Sequence, residues 1–159
     1  MTNNNIMIIT GRANPLSRLY RCKFTVNEIT FTSLEQYILF NKALLFDDLK
    51  TAHMILKTND TYIQKTMSKR IRNYNHKIWH KEMRRIAFDG TEYKFKDKKN
   101  KHLRDMLINT APNTLAEACP YDRNWGIGLS INDPSIYHKN KWRGDNIYGQ
   151  VLMDVRNII

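Results

Sequence analysis

Apolar positions along this chain recur with two rhythms, a short one near the N-terminus and a helical one beyond it. Ile6-Met7-Ile8-Ile9 is a brief apolar run bounded by asparagines and Gly11, a pattern that suits a buried strand better than a helix. Cys22 to Val26 and Ile29 to Phe31 flank Asn27-Glu28. Asn tolerates the positive φ that a two-residue hairpin turn requires, so a small hairpin is expected there, although Glu suits the second turn position less well than Gly.

From Ser33 the spacing lengthens. Leu34, Tyr37, Ile38, Leu44 and Leu45 recur at helical intervals, with no breaker before Asp47-Asp48. Asp47 or Asp48 can cap a second helix carrying Leu49, Met54 and Ile55, and Asp60 or Thr61 a third that runs through Met67. A fourth helix is expected from Asn75 to Phe88, stopped near Gly90, a fifth from Lys101 to Ile108, stopped before Pro112, and a last one from Asn146 to Ile158. Ala111 to Lys141 holds three prolines and two glycines and reads as the longest irregular stretch, of the kind that in compact domains is usually functional or disordered. No internal repeat, low-complexity tract or linker interrupts the pattern. The sum is one mainly α domain over residues 1–159, with a small β-hairpin or sheet element near the N-terminus.

Length and composition fit that reading. A globular chain of 159 residues buries roughly 68–70% of the surface its unfolded form exposes, enough for one core. The formal net charge of +11 creates a positive field that attracts nucleic acid, polyphosphate or acidic lipid without choosing among them. The two cysteines, Cys22 and Cys119, are far apart and lack C-x-x-C spacing, which argues against a disulfide framework or a zinc knuckle. The N-terminus lacks the charged start and apolar stretch of a signal peptide, and no run approaches the ~20 apolar residues of a membrane span. A cytoplasmic protein with no membrane partner is expected.

Candidate chemistry concentrates in two places. Ser33 is placed to cap the first long helix, with Gln36 as the reciprocal partner of a capping box. Glu35 is then not required for capping and either complements the helix dipole in a first turn whose N–H groups favour an anion or serves a site, and Lys42, seven residues on near the same face, makes with it a solvated pair or two halves of that site. The segment Tyr121 to Gly128 gathers Asp122, Asn124, Trp125, Gly126 and Gly128: a carboxylate, an amide, a large ring and two glycines that allow close backbone approach. Trp125 reads equally as a plug over the core or as a stacking platform for a base or sugar. His76 and His80 share a helix face, but no third ligand accompanies them and no metal is expected. Between Lys65 and Arg104 the chain is dense in Lys and Arg interleaved with Tyr74, Trp79, Tyr93 and Phe95, which suits contact with a phosphate backbone or a solvated face.

Read in order, several segments resemble the NADAR (YbiA-like) family of N-glycosidases. Asn14-Pro15-Leu16-Ser17 is similar to its N-terminal site motif, Ser33 to Tyr37 with Lys42 to its catalytic helix, and Leu115-Ala116-Glu117 with Asp122 to Gly128 to its signature loop. Asn146 to Gly149 and Val151 to Arg156 resemble its C-terminal helix, while Arg18 departs from the family, which usually carries Asn at that position. The resemblance implies hydrolysis of a bond between ribose C1′ and a nitrogen, with no cofactor. Substrates would be ADP-ribose on guanine in nucleic acid or ribosylamino-pyrimidine intermediates of riboflavin synthesis. A module that kept the fold and only binds nucleic acid or ADP-ribose is the non-catalytic alternative. The roles implied are Glu35 for water activation and charge stabilisation, with Asp122 sharing that role or orienting Glu35 and the order of the two as base left open, and Trp125 as the stacking surface. Substrate contacts fall to Ser17, Arg18, Lys42, Glu117, Gly126, Gly128 and Asn146, with Arg18 and Lys42 pairing with phosphate.

Overall fold

The computed structural model describes residues 5–159. Strand β1 (Ile6–Ile9) lies parallel to β4 (Thr114–Glu117), with Ile6 opposite Thr114 and Ile9 opposite Glu117. Parallel neighbours need a crossover, and here five helices supply it. The hairpin of β2 (Phe24–Val26) and β3 (Ile29–Phe31) forms as expected. Asn27 and Glu28 both take positive φ, 47° and 68°, the backbone of a tight two-residue turn. Phe24, Phe31, Tyr37 and Phe40 then pack ring against ring, joining the hairpin to the first helix.

The helices start where side chains satisfy their free N–H groups. Helix α1 (Leu34–Leu45) is capped by Ser33, whose Oγ accepts from the Gln36 amide at 3.0 Å. Gln36 reaches back one residue further than a standard capping box, its Oε1 accepting from the Thr32 amide at 2.8 Å, while its Nε2 donates to the carbonyls of Ile55 and Thr58. Asp48 caps α2 (Leu49–Leu56), Asp60 caps α3 (Thr61–Ser68) and Asn75 caps α4 (His76–Lys96). Helix α5 spans Lys101–Ile108 and α6 spans Ile147–Arg156. Among the described residues no helix is long and apolar enough to cross a membrane.

Two expectations are corrected. Helix α4 does not stop near Gly90 but continues to Lys96. Gly90 is an interhelical contact: a Cβ there would lie 2.3 Å from the Tyr37 ring and 2.8 Å from Leu34, so the missing side chain lets α1 and α4 approach closely. Close packing outweighs the roughly 1 kcal/mol helix-propensity cost of glycine. The stretch from Ala111 to Lys141 is also not wholly irregular, because it contains β4. All four residues of β4 are buried, so the alternation that marks a strand is missing. Beyond it, short 3-10 turns at Pro134–Tyr137 and Lys139–Lys141 close a small apolar cluster of Ala116, Ile127, Leu129 and Ile136.

Candidate active site

Arg18 is the hub. It leaves the loop after β1, is 3% exposed, and its backbone carbonyl accepts from the Glu35 amide at the start of α1 at 2.9 Å. Its guanidinium reaches three carboxylates from three parts of the chain. Nη1 donates to Glu35 Oε2. Nε and Nη2 donate to Glu117 Oε2 and Oε1 at 3.0 and 2.7 Å, a two-pronged pairing with the end of β4. Nη2 also approaches Asp122 Oδ2 at 3.3 Å. Burial alone would lower the Arg18 pKa, but the charges of Glu117, Glu35 and Asp122 outweigh it, and the guanidinium is held well above its ordinary value. Three carboxylates around one cation leave a formal excess of negative charge in a poorly hydrated place.

The loop after β4 is built from its own side chains. Asp122 Oδ1 accepts from the amides of Asn124 and Trp125 at 3.0 and 2.8 Å, which leaves its Oδ2 facing Arg18. Gly126 lies so near β4 that a Cβ would sit 2.8 Å from the Glu117 carbonyl. The close approach that glycine permits is therefore backbone to backbone. Gly128, at φ +70°, lies beside Arg143. Asn146, at the start of α6, accepts from the Glu117 amide at 3.0 Å and donates to the Leu115 carbonyl at 2.9 Å. It fixes β4, and with it Glu117, rather than facing open space.

Arg18, Glu117 and Asp122 line a cleft of about 250 Å³, together with Thr10, Gly11, Ser17, Leu19 and Lys65. Not every expected site residue reaches it. Glu35 lies behind the guanidinium, 3% exposed. Trp125 belongs to the main core, with the Arg18 guanidinium 5.3 Å above its ring and Trp79 6.4 Å away edge-on. The plug reading of Trp125 describes this geometry better than a platform open to a substrate. Lys42 is half-buried between the rings of Tyr74 and Trp79, at 4.9 and 5.0 Å. Burial lowers its pKa, and Glu35 partly opposes that shift. The expected pairing of Arg18 with phosphate does not fit its saturated surroundings, whereas Lys65, absent from the expected set, does line the cleft.

A second missed residue is Lys94, fully buried and far from any expected site in sequence. Its Nζ donates to the carbonyls of Pro15 and Ser17 at 3.2 and 3.1 Å, fastening the loop that presents Arg18. Tyr148 does the same from α6, its hydroxyl donating to the Leu16 carbonyl at 2.6 Å. Burial pulls the Lys94 ammonium down to about 8 from an ordinary 10.5. Below pH 8 both folded and unfolded chains keep that proton and the burial cost is fully present. Between about 8 and 10.5 the folded chain releases it while the unfolded chain holds it, so stability rises with pH in that window. In urea titrations, wild type is expected to gain about 2–3 kcal/mol relative to Lys94→Met on going from pH 7.5 to pH 10.5. A pH-independent difference between the two proteins would contradict the assignment.

Folding also sorts the basic region. Arg84 is paired with Asp154, Arg85 with Glu82 and Asp89, Lys96 with Glu92, and Lys101 with Asp105. Lys69, Arg70, Lys77 and Lys81 are exposed and have no carboxylate within salt-bridge distance among the described residues. Lys69 and Arg70 directly follow α3, the helix that carries Lys65, and Lys77 and Lys81 lie in the first turns of α4. The rings of His76 and His80 lie tilted against each other with centroids 4.2 Å apart, and no cluster of three metal-ligating side chains occurs among the described residues.

A helical domain that holds several carboxylates around one arginine at the edge of a cleft is a carboxylate-centred domain. It belongs to the NADAR domain family, whose model matches residues 9–159. The chain is 37% identical over 126 residues to an N-glycosidase of Acanthamoeba polyphaga mimivirus, covering 79% of this chain and 73% of that protein. It is 34% identical over 130 residues to the protein irg-1 of Caenorhabditis elegans, covering 80% of this chain and 60% of that one. The NMR structure of the Escherichia coli protein YbiA shares the fold, with a TM-score of 0.77 over 99% of this chain and 86% of that chain, at 21% identity.

Proposed function

We propose that this NADAR domain is an N-glycosidase that removes ADP-ribose from guanine in nucleic acid, with Asp122 activating the water. Hydrolysis of an N-glycosyl bond is the reaction class supported by the family and by the N-glycosidase relative. The observation that carries the assignment of roles is the surplus of carboxylates over cations at Arg18. Breaking C1′–N builds positive charge on the ribose, and fixed negative charge in a poorly hydrated site lowers that barrier.

Arg18 holds Glu117 through both oxygens and Glu35 through Oε2, and their side chains are 11% and 4% exposed, whereas Asp122 Oδ2 makes only the 3.3 Å contact and its side chain is 24% exposed at the cleft. Asp122 takes one proton from water as the oxygen bonds to C1′. The C1′–N bond breaks, its electron pair stays with the base nitrogen, and the site returns a proton there. Glu35 and Glu117 hold Arg18 and contribute charge to the field felt at C1′. Dislodging the guanidinium to expose Glu35 directly would cost several kcal/mol, as breaking a buried ion pair does.

The unpaired cations at the α3–α4 junction favour a polyanionic substrate over a small ribosylamino-pyrimidine. Turnover is expected to be faster on guanine-ADP-ribosylated DNA, and its KM is expected to rise steeply between 50 and 200 mM salt while that of the free nucleotide intermediate changes little. Equal salt response, or preference for the small intermediate, would assign the riboflavin-type substrate instead.

A further inference from the structure

Helices α2 and α3 pack on α1 and on each other, burying Ala52 and Ile55 of the first and Gln64 and Ser68 of the second. Between them runs an apolar groove of about 310 Å³, lined by Thr51, Met54, Ile63, Thr66, Met67 and Arg70. Ile63, Thr66, Met67 and Arg70 follow the i, i+3, i+4, i+7 spacing of one helix face. Lys65, which lines the carboxylate cleft, is two positions from both Ile63 and Met67 and so leaves α3 on another side. The groove shares no lining residue with that cleft. We propose that it docks an acidic amphipathic helix of a partner protein, a contact separate from the glycosidase chemistry.

Met54 is 41% and Ile63 44% exposed, and Leu49 and Tyr62 of the same two helices are more exposed still, at 67% and 70%. Neighbouring apolar side chains left in water mark interaction surfaces. Methionine walls suit a helix in particular, because their unbranched chains repack around the side chains that enter. The rim sets the charge of the occupant. From Leu49 to Arg70 the chain carries Lys50, Lys57, Lys65, Lys69 and Arg70 against a single carboxylate, Asp60. Asp60 is engaged in capping α3, accepting from the amides of Tyr62 and Ile63 at 2.8 and 3.3 Å. Lys50 precedes Met54 by four positions and Lys57 follows it by three, so a cation flanks the α2 wall on each side, and Arg70 ends the α3 wall. None of these three has a carboxylate within salt-bridge distance among the described residues. A second copy of this chain fits poorly, since a formal net charge of +11 sets one cationic rim against another. A phosphate backbone is drawn to the rim but leaves the methionine and isoleucine walls unfilled. Apolar side chains in the groove with carboxylates turned to the lysines satisfy both features at once.

Fluorescence anisotropy with a synthetic helical peptide of about 18 residues, Leu and Phe along one face and Glu on its flanks, tests the proposal. Wild type should bind it with a Kd of about 10 μM or tighter, and should bind a version with Lys in place of every Glu at least about tenfold more weakly. Met54→Glu/Ile63→Glu should weaken binding of the acidic peptide at least about tenfold. Met106→Glu/Ile108→Glu adds the same charge at comparably exposed apolar positions of α5 and should change it less than about twofold. Arg70→Gln leaves the apolar walls intact and should weaken it about threefold or more. Equal loss in the two glutamate pairs, no loss in either groove variant, or no preference for the acidic peptide would each overturn the docking site. Binding of single-stranded DNA or phosphatidylserine vesicles, or self-association, that Met54→Glu/Ile63→Glu abolishes while the acidic peptide stays unbound would also overturn it. The groove would then belong to a nucleic acid, a membrane or a second copy.

Discussion

Arg18→Met is expected to destabilise the protein by about 3–5 kcal/mol, the loss typical of removing one partner from a buried ion pair. The substitution leaves Glu35, Glu117 and Asp122 facing one another with no cation, two of them nearly sealed from water. It also strips the Trp125 ring of the guanidinium above it. Native domains are stable by only about 5–15 kcal/mol, so the variant should approach the unfolding threshold. Arg18→Lys should recover only part of the loss, since an ammonium is a point charge and cannot fork onto Glu117 while reaching Glu35. Guanidinium chloride titrations of the three proteins measure this. A deficit below about 1 kcal/mol would mean that the ion network is not what holds the β1 loop to α1 and β4.

The second large effect is on turnover. Asp122→Asn keeps the oxygen that accepts from the amides of Asn124 and Trp125, so the loop should stay in place and the melting temperature should hardly move. It removes the group assigned to accept the water's proton, and kcat should fall by about 10³-fold, within the usual range for a lost general base. Glu35→Gln removes a charge one layer behind the cleft and should lower kcat by about 10- to 100-fold, with KM little changed, as a lost electrostatic contribution to the transition state does. The reverse order, with Glu35→Gln the more damaging, would show that Arg18 yields its place when substrate binds and that Glu35 meets the water itself.

Much of the fold was legible because its signals are local. The asparagine at the hairpin turn, the Asp, Asn and Ser caps, and the helical spacing after Ser33 each act within a few residues. Gly90 misled because glycine as a stop and glycine as a close interhelical contact look alike until α1 is beside α4. β4 was hidden for a related reason, since a strand buried on both faces has no alternation to read. For the candidate site, the sequence supplied the residue types but not their partners. Glu35, Glu117 and Asp122 were each visible as candidates. That they share one guanidinium depends on segments separated by 17 to 104 positions meeting at Arg18. The same holds for Lys94, which reads as one more lysine in a basic run and proves to be the buried clasp of the Pro15–Ser17 carbonyls. Trp125 carried two readings of equal merit, and packing against Trp79 and Arg18 separates them.

Cleavage of an N-ribosyl bond at the carboxylate cleft is tested most directly by release of free ADP-ribose from guanine-ADP-ribosylated DNA. Wild type should liberate ADP-ribose and restore unmodified guanine, with release falling by about three orders of magnitude in Asp122→Asn. Tight binding of the modified DNA with no ADP-ribose released, and with ribosylamino-pyrimidine nucleotides also left intact, would contradict it and make the domain a binding module.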